Sequence, residues 1–599
     1  MQAIILAAGM GKRLHELTKY NTKCMVKVNG VPLIERTLKI LDKKKLSRIV
    51  IVVGYKKQGL IEFVQNLDVR TPVVFVENDD FDKTNNIYSL LLAKKYLQKE
   101  DTLLLESDII FEEAAIDLIL DDPRSTLALV DKFASWMDGT CLELDAEDSI
   151  VEFIPGKYLR FEEKENYYKT VNIYKFGKTF ASDVYVPFLE AYFKAMGVNE
   201  YYESVIKLIA MLEHCEMKAK RLTGQKWYEI DDIQDLDIAS SIFEESMEKK
   251  YELITSRYGG YWRYPTLLDF CYLVNPYFPT EKMVRELKSN FELLLQQYPS
   301  GMQVNSLLAA KNFGINQEHI VIGNGAAELI KYFMETLDGT LGIITPTFEE
   351  YRHRYKGNIV EFAVDSKDFS YTANDIIKFY DKKEINHLVI INPDNPSGNY
   401  IPHVDILMLI NWAKAKSINI IIDESFVDFA NEINNTLITE NILSIYENLY
   451  VVKSISKSYG IPGLRLGVLA SSNKKMIAKL KKDVAIWNIN SFAEFFMQIF
   501  EKYKNEYAKS LEQLRISRKE LINSLKQLEK LDVFPSEANY VLCEIHENTS
   551  QRVATELLRD NILIKDVAPK IKNGKQYIRV AVRTREENRH LIESLRKMF

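Results

Sequence analysis

The sequence predicts an α/β fold in two successive domains, and three observations lead to this prediction. The chain has 599 residues, which is more than one hydrophobic core usually supports. Short apolar runs alternate with amphipathic segments in both halves, a pattern typical of mainly parallel sheets covered by helices. A charged helical pattern from Ile238 to Tyr258 stops at Gly259-Gly260, and glycine pairs interrupt helices. We therefore expect domains at 1–243 and 261–599, with a helical linker at 244–260.

In the first domain, four apolar runs are short enough to be buried strands, and helical patterns lie between them. The predicted strands are Ala3–Ala8, Ile49–Val53, Val73–Val76 and Thr102–Leu105, and the predicted helices include Leu33–Leu41 and Ile87–Tyr96. This order predicts a Rossmann-like layer with the carboxyl ends of its strands at one edge.

The second domain repeats the alternation and ends differently. The predicted helices are Ala326–Leu337 and Asp405–Lys416, and the predicted strands are Leu341–Thr345, His387–Asn392 and Ile418–Asp423. From Asn505 onward the pattern is that of a smaller α+β subdomain. We thus expect a large α/β part followed by a small α+β part.

Composition excludes several classes of partner. The formal net charge of −6 gives no electrostatic reason to expect nucleic acid or an anionic membrane. The five cysteines are scattered without metal-binding spacing. No stretch reaches the ~18 apolar residues of a membrane span. We expect a cytoplasmic, water-soluble protein that acts on small molecules.

A glycine-rich loop follows the first predicted strand directly. The segment LAAGMGKRL runs from Leu6 to Leu14; its glycines let backbone N–H groups approach phosphates, and its basic residues add charge. A glycine pair alone would fit a tight turn. Here Lys23 follows, Asp108 comes at the end of an apolar strand, and Asp231 lies in the late segment WYEIDD. Ligands gather at such strand ends, so the set predicts a phosphate site.

These segments resemble the bacterial nucleotidyltransferases that make nucleotide sugars and CDP-choline, over the whole first domain. The resemblance implies that Arg13 and Lys23 neutralise the reacting phosphates and that Asp108 and Asp231 hold Mg²⁺. Thr22 stands where the family usually has proline, which removes a rigid turn but no chemical group. The residues implied around the triphosphate are Leu6, Ala8, Gly9, Gly11, Arg13 and Lys23.

The segment KTNNIYSLLLAK is most similar to the CTP-using phosphocholine cytidylyltransferases. This likeness implies CTP as the nucleotide, with Asn85, Asn86 and Ser89 near the base. Aromatic faces and carboxylates suit an ammonium-bearing acceptor, and Lys169 could meet its phosphate or phosphonate. The alternative is that these aromatic residues belong to the core. The candidate acceptor residues are Trp136, Asp138, Tyr168, Lys169, Tyr201, Tyr202 and Glu203.

Four segments of the second domain stand in a characteristic order. They are GNGAAE from Gly323, NPDNPSG from Asn392, DESF from Asp423 and SISKSYGIPGLRLG from Ser454. Any one of them could be a turn or a strand end. Together they resemble the class I and II pyridoxal-phosphate (PLP) enzymes of fold type I, specifically histidinol-phosphate aminotransferases and threonine-phosphate decarboxylases. The likeness runs from about Leu273 to the last residue.

The resemblance implies a role for each motif residue. Lys457 would bond covalently to PLP and move protons, and Asp423 would pair with the ring nitrogen. Asn395 would bond the ring hydroxyl, and Arg579 would take the substrate carboxylate through two N–H groups. The residues implied at the cofactor phosphate are Gly325, Ala326, Ala327, Ser454, Ser456 and Arg465.

Two tyrosines complete the implied PLP site. Tyr351 would stack on the ring, and Tyr298 would reach the phosphate from a partner subunit, since this fold is usually a homodimer. Phe426 departs from the histidinol-phosphate aminotransferases, which usually have a tyrosine there. This departure leaves transamination and decarboxylation both open.

The whole chain resembles the fused cytidylyltransferase–aminotransferases of phosphonate-tailoring pathways. That likeness implies that the second domain aminates phosphonoacetaldehyde with an amino-acid donor, and that the first joins the 2-aminoethylphosphonate to CMP. The alternative is a phosphoserine decarboxylase fused to a phosphoethanolamine or phosphocholine cytidylyltransferase, which Phe426 favours. A third hypothesis is that one half of the chain is an inactive domain that serves only for binding or dimerisation. The presence of Lys457, Arg13 and Asp108 argues against it.

Overall fold

A computed structural model describes residues 1–137, 139–212 and 216–599. The chain forms two compact units, Met1–Arg263 and Tyr264–Phe599. The helix Met247–Thr255, in the segment predicted as a linker, belongs to the first unit. The exact domain limits and the linker role remain predictions.

The first unit is an α/β layer. Its strands are β1 (Gln2–Ala7), β2 (Lys27–Val28), β3 (Val31–Pro32), β4 (Ile49–Val53), β5 (Val73–Glu77), β6 (Thr102–Glu106), β7 (Ile109–Phe111), β8 (Leu127–Lys132), β9 (Cys141–Leu144), β10 (Ile150–Ile154), β11 (Tyr167–Phe176), β12 (Lys218–Arg221) and β13 (Trp227–Glu229). Its helices are α1 (Leu33–Asp42), α2 (Lys57–Gln65), α3 (Asn86–Leu92), α4 (Lys94–Leu97), α5 (Glu113–Leu120), α6 (Val186–Met196), α7 (Glu203–Ala210), α8 (Ile233–Ile242) and α9 (Met247–Thr255).

A mixed sheet of nine strands organises this unit. The order is β10-β9-β11-β6-β1-β4-β5, with β8 pairing to β11 and β12 to β8. The strands β6, β1, β4 and β5 are parallel, as the apolar runs predicted. Burial on both faces explains why β1 and β4 are almost wholly apolar. The predicted helix Ile87–Tyr96 is instead two short helices that meet at Ala93.

The second unit has a large and a small sheet. Its strands are β14 (Leu268–Asp269), β15 (Ile320–Asn324), β16 (Thr340–Thr345), β17 (Asn358–Ala363), β18 (His387–Ile391), β19 (Asn419–Asp423), β20 (Leu449–Lys453), β21 (Leu466–Ala470), β22 (Leu531–Val533), β23 (Tyr540–Ile545), β24 (Ile562–Leu563), β25 (Lys565–Asp566) and β26 (Gln576–Ala581). Its helices are α10 (Glu281–Ser289), α11 (Phe291–Gln296), α12 (Met302–Phe313), α13 (Ala326–Met334), α14 (Glu350–Arg354), α15 (Ala373–Tyr380), α16 (His403–Ala415), α17 (Glu440–Leu443), α18 (Ile455–Ser458), α19 (Lys474–Asp483), α20 (Ser491–Ile499), α21 (Lys504–Leu525), α22 (Ser550–Arg559), α23 (Ala568–Ile571) and α24 (Arg585–Arg596).

The large sheet has the order β15-β21-β20-β19-β18-β16-β17, in which β21 is antiparallel to both of its neighbours. The antiparallel sheet β22-β23-β26-β25 belongs to the smaller part that follows α21. This arrangement confirms the predicted α/β class with a small α+β part. Among the helices described, none combines the length and the apolar composition that a bilayer crossing requires.

Candidate active sites

A cavity of about 1130 Å³ lies in the first unit, where the loop after β1 and the end of β6 meet. It is a site of the kind expected at the carboxyl edge of a parallel sheet. The predicted residues that line it are Leu6, Ala8, Gly9, Gly11, Arg13, Lys23, Asn85, Asn86, Ser89, Asp108, Lys169, Tyr201, Glu203 and Asp231. The structure therefore gathers most of the nucleotide, acceptor and metal candidates around one cavity.

Lys23 holds two of the predicted metal ligands together. Its Nζ lies 2.6 Å from Oδ2 of Asp108 and 2.7 Å from Oδ1 of Asp231, and Arg13 reaches the same Asp231 oxygen at 2.8 Å. Burial would lower the pKa of Lys23, but the two carboxylates raise it above its ordinary value. Burial would likewise raise the pKa of Asp231, but Lys23 and Arg13 hold it below the usual range.

A third carboxylate, Glu229, lies beside this pair. Oxygens of Asp108, Glu229 and Asp231 all lie within 4.8 Å of one another. Oδ1 of Asp108 is buried and accepts no hydrogen bond from the described residues. Hard carboxylate oxygens at this spacing fit a divalent cation such as Mg²⁺, which would compete with Lys23 for them. The sequence analysis assigned no role to Glu229, although the segment WYEIDD contains it.

Glu106 is another half-buried carboxylate in the lining of the cavity. Asn86 donates from Nδ2 to Oε1 of Glu106 at 3.1 Å, and its own Oδ1 accepts the Tyr202 N–H at 3.0 Å. The Asn86 amide, predicted to lie near the base, is thus bonded to Glu106. Burial, followed by the charges of Asp108 and Glu203, raises the pKa of Glu106 well above its ordinary value. Sequence reasoning assigned Glu106 no role.

An irregular stretch of β11 carries the next polar groups into the cavity. The pairing of β11 with β8 shifts between Thr170 and Tyr174, and Asn172 has a left-handed φ of 59°. Asn172 donates to Oε1 of Glu229 at 3.2 Å, and Lys169 Nζ lies 3.7 Å from the other Glu229 oxygen. Such a bulge re-aims side chains, and here it directs two of them at Glu229.

Some of the residues predicted to bind the acceptor do not line this cavity. Trp136 stacks on Tyr228, with ring centroids 4.0 Å apart, and does not line the cavity. Lys132 and Arg221 lie over the Tyr168 ring at 4.5 and 4.9 Å. The partners of both rings are therefore residues of the protein itself. Asp138 lies outside the described residues.

In the second unit, the predicted lysine and aspartate lie at neighbouring strand ends. Asp423 ends β19 and is 3 % exposed; it accepts hydrogen bonds from the Tyr351 hydroxyl and the Ser425 N–H, both at 2.9 Å. Lys457 Nζ lies 4.2 Å from the ring centroid of Phe426 and 5.6 Å from that of Phe348. Tyr351, predicted to stack on PLP, is thus bonded to Asp423, and the two rings near the lysine are those of Phe426 and Phe348.

The surroundings of Lys457 favour its neutral amine. Burial is the main cause that lowers its pKa to about 8; Arg579 and Arg465 add to the shift, and Asp423 opposes it. A neutral amine is the nucleophilic form. A lysine with this property beside a buried aspartate fits the covalent attachment of PLP.

The predicted binding site for the phosphate group of PLP lies where α13 begins. Gly325 has a φ of 75°, and a Cβ there would lie 2.5 Å from Nη2 of Arg465. Arg465 itself has a φ of 59°. Ala326 and Ala327 open the helix, so N–H groups and a guanidinium converge, as a phosphate requires. When bound, PLP draws electrons away from the α carbon of the amino-acid substrate.

Two hydrogen bonds join Ser456, also predicted at the phosphate, to the start of β21. Its hydroxyl is 2 % exposed; it accepts the Leu466 N–H at 2.7 Å and donates to the Leu466 carbonyl oxygen at 3.1 Å. The Ser456 hydroxyl thus holds the start of β21, and its role at the cofactor phosphate remains a prediction. Ser454 is half-buried, and its N–H bonds the Ser425 hydroxyl.

A cationic wall surrounds the predicted carboxylate arginine. Arg579 donates to Oδ1 of Asn395 at 2.6 Å and to the Cys271 carbonyl at 2.9 Å, while its buried Nε has no partner in the described ranges. Lys565 is the register partner of Arg579 across β25 and β26. Burial lowers the pKa of Lys570 to about 8, with Arg579 and Lys565 contributing. Sequence reasoning missed both lysines.

Tyr298, also predicted at the cofactor, lies on the open surface. Its side chain is 77 % exposed, and its ring stacks on Trp487 at 4.5 Å. Its contact with the phosphate of a partner subunit remains a prediction.

Gly325→Ala should weaken PLP binding at least about tenfold and destabilise the second unit by about 1–3 kcal/mol, because the new Cβ meets Arg465 at a left-handed φ. PLP titration of the purified variant and a thermal melt measure the two effects. Gly463→Ala is the matched control, since a Cβ there contacts nothing within 4 Å. Equal PLP affinity in both variants would show that the Gly325–Arg465 contact does not shape the phosphate site.

Family models match both halves. Residues 3–132 match the MobA-like NTP transferase domain, and residues 295–595 match aminotransferase class I and II. Over 99% of this chain and 94% of the relative, the sequence is 29% identical to a CMP-5'-(3-aminopropyl)phosphonate synthase from Streptomyces rubellomurinus.

Other relatives match the second half alone. An L-serine phosphate decarboxylase from Sulfurospirillum multivorans is 30% identical over 56% of this chain and 90% of its own. The structure of a decarboxylase from the same organism aligns with a TM-score of 0.52 at 30% identity, over 56% of this chain and 90% of that one. A histidinol-phosphate aminotransferase structure from Clostridium acetobutylicum aligns with a TM-score of 0.50 at 26% identity, over 55% of this chain and 99% of that one.

These likenesses agree with the geometry of the two sites. The chain is an enzyme with a nucleotidyltransferase domain followed by a PLP-dependent domain of fold type I. Through residues 295–595, about half of its length, the chain belongs to the class I and II aminotransferase family.

Proposed function

We propose that the first domain transfers CMP from CTP to the phosphonate oxygen of a short aminoalkyl phosphonate, with Mg²⁺ held by Asp108 and Asp231. The second domain makes the amine of that acceptor. One observation carries the proposal: a single cavity offers both a glycine loop with Arg13 and Lys23 and a row of half-buried glutamates. An acceptor with an anionic group and an ammonium group matches both features.

The proposed transfer needs no general base. The phosphonate oxygen is already ionised near neutral pH; it forms the bond to the α-phosphorus while the bond to pyrophosphate breaks. Both reacting groups are anionic, so catalysis depends on alignment and charge neutralisation. Arg13 and Lys23 lie where they can supply that charge, next to the carboxylates that would hold the metal.

For the second domain we propose transamination of phosphonoacetaldehyde, with an amino acid as donor, to give 2-aminoethylphosphonate. The class I and II family model supports transamination. The printed name of the Streptomyces relative supports an aminoalkyl phosphonate as the molecule that the two domains share. Arg579, Lys565 and Lys570 form a wall suited to anionic substrates. We further propose a homodimer, in which the exposed Tyr298 of one subunit reaches the site of the other.

Decarboxylation of phosphoserine is the second candidate for this domain. It would supply phosphoethanolamine to the first domain. Phe426 favours it, because the ring beside Lys457 carries no hydroxyl, and the L-serine phosphate decarboxylases match this half at 30% identity.

One experiment decides between these candidates. The purified enzyme receives PLP with either phosphonoacetaldehyde and alanine or phosphoserine alone, and mass spectrometry identifies the products. An amine that depends on the aldehyde supports transamination, whereas carbon dioxide from phosphoserine supports decarboxylation. With CTP and Mg²⁺, 2-aminoethylphosphonate should release pyrophosphate. Faster release with phosphoethanolamine or phosphocholine would overturn the phosphonate assignment.

A further inference from the structure

We propose that Glu106 and Glu203 form the subsite for the amine of the acceptor, and that this subsite selects a primary ammonium group over a trimethylammonium group. The inference rests on the proposed cytidylyl transfer and names two specificity-determining residues for it. It also separates the first domain from enzymes that activate choline esters.

Both glutamates line the cavity proposed for the transfer. Glu106 ends β6, and Glu203 begins α7; both line the cavity that contains Lys23 and Asp108. Asn86 fixes Glu106, because its amide nitrogen donates to the carboxylate at 3.1 Å while its oxygen accepts the Tyr202 N–H at 3.0 Å. An amine bound here would lie in the same cavity as the phosphate loop.

In the part of the chain that the structure describes, neither glutamate forms an ion pair with a lysine, arginine or histidine. The charge of Lys169 acts on Glu203, but its Nζ pairs with Glu229 at 3.7 Å. Half-buried carboxylates without a counter-charge are unfavourable. The bound ammonium would supply that charge.

A buried hydroxyl gives a second, independent indication of a ligand. The Tyr174 side chain is 0 % exposed, and its hydroxyl has no hydrogen-bond partner among the described residues. Glu203 is the charge that acts most strongly on it. Unsatisfied buried polar groups are rare in folded proteins, so this hydroxyl, on which the charge of Glu203 acts, supports a polar group from outside the chain near Glu203.

The carboxylates of Glu106 and Glu203 favour a ligand that carries N–H donors. Carboxylate oxygens accept hydrogen bonds; a primary ammonium brings three donors, whereas a quaternary ammonium brings none. Quaternary groups are instead bound by aromatic faces. Of the four aromatic residues predicted for the acceptor, Trp136, Tyr168 and Tyr202 do not line the cavity, and Tyr201 lines it but is 57 % exposed. The cavity lining also includes Phe81, Phe153 and Tyr192, so the preference for a primary ammonium rests on the two carboxylates.

The test compares acceptors in the full-length enzyme. Pyrophosphate release is measured with CTP, Mg²⁺ and either 2-aminoethylphosphonate, its N,N,N-trimethyl analogue or ethylphosphonate. We expect kcat/KM for the primary amine to exceed that for the other two by about 100-fold, since the unmatched acceptors leave the carboxylates unpaired. Equal use of the trimethyl analogue by the wild-type enzyme would overturn the inference without any variant.

Two conservative variants test the residues themselves. Glu203→Gln and Glu106→Gln should each raise KM for 2-aminoethylphosphonate about tenfold or more, with a smaller change in kcat and no change in KM for CTP. Glu62→Gln, an exposed position away from the cavity, is the control and should behave as wild type. Unchanged acceptor KM in both cavity variants would refute the assignment while leaving cytidylyl transfer intact. Absence of pyrophosphate with every acceptor would instead refute the proposed function.

Discussion

Lys457→Ala is expected to reduce amine formation by the second domain about 1000-fold or more, and to leave pyrophosphate release by the first domain within about twofold of wild type. Lys457 is the half-buried amine whose pKa burial lowers to about 8. It lies among Phe426, Phe348 and the strand end that carries Asp423. Alanine removes the nitrogen that would bond to PLP and move protons.

Two measurements on one preparation check this result. The absorbance of PLP linked covalently to the enzyme should disappear, and mass spectrometry should find no amine product, while CTP turnover continues. Lys475→Ala removes an exposed lysine from the same unit and should change neither signal. Retained absorbance and turnover in the Lys457 variant would contradict the assignment. Loss of both activities would contradict the independence of the two sites.

The parts of the fold that the sequence predicted are those with continuous burial. The strands β1, β4 and β19 are covered on both faces, so their apolar runs are unbroken. The division of the predicted helix Ile87–Tyr96 at Ala93 was not predictable in this way. Ala93 is fully buried with a φ of −89° and a ψ of 0°. Nothing local in an alanine marks such a break, which depends on packing.

The candidate sites show the same distinction. The phosphate loop and Lys457 follow strands directly, so sequence order alone places them. The surroundings of Trp136 depend on Tyr228, which lies on β13, paired with β7. No sequence pattern reveals such a distant pairing. Ser456 was assigned to the phosphate by motif, but the orientation of its hydroxyl toward Leu466 depends on the path of the following loop.

An isosteric substitution of Asp108 tests whether the charge of its side chain, and not only its shape, is needed for cytidylyl transfer. Asp108→Asn keeps the shape of the side chain but removes the carboxylate that lies 2.6 Å from Lys23 Nζ and beside Glu229 and Asp231. An amide oxygen is a weaker ligand for Mg²⁺ than a carboxylate. We therefore expect pyrophosphate release to fall about 100- to 1000-fold, because the charge that develops at the α-phosphorus loses its metal.

The same variant should form amine at the wild-type rate, since the PLP site lies in the other unit. Pyrophosphate release measured over a range of Mg²⁺ concentrations separates loss of metal affinity from loss of fold. Partial recovery at high Mg²⁺ is expected of a weakened metal site. Asp121→Asn, an exposed position in the same unit, is the control and should keep full activity. Wild-type turnover by the Asp108 variant at low Mg²⁺ would show that another group binds the metal.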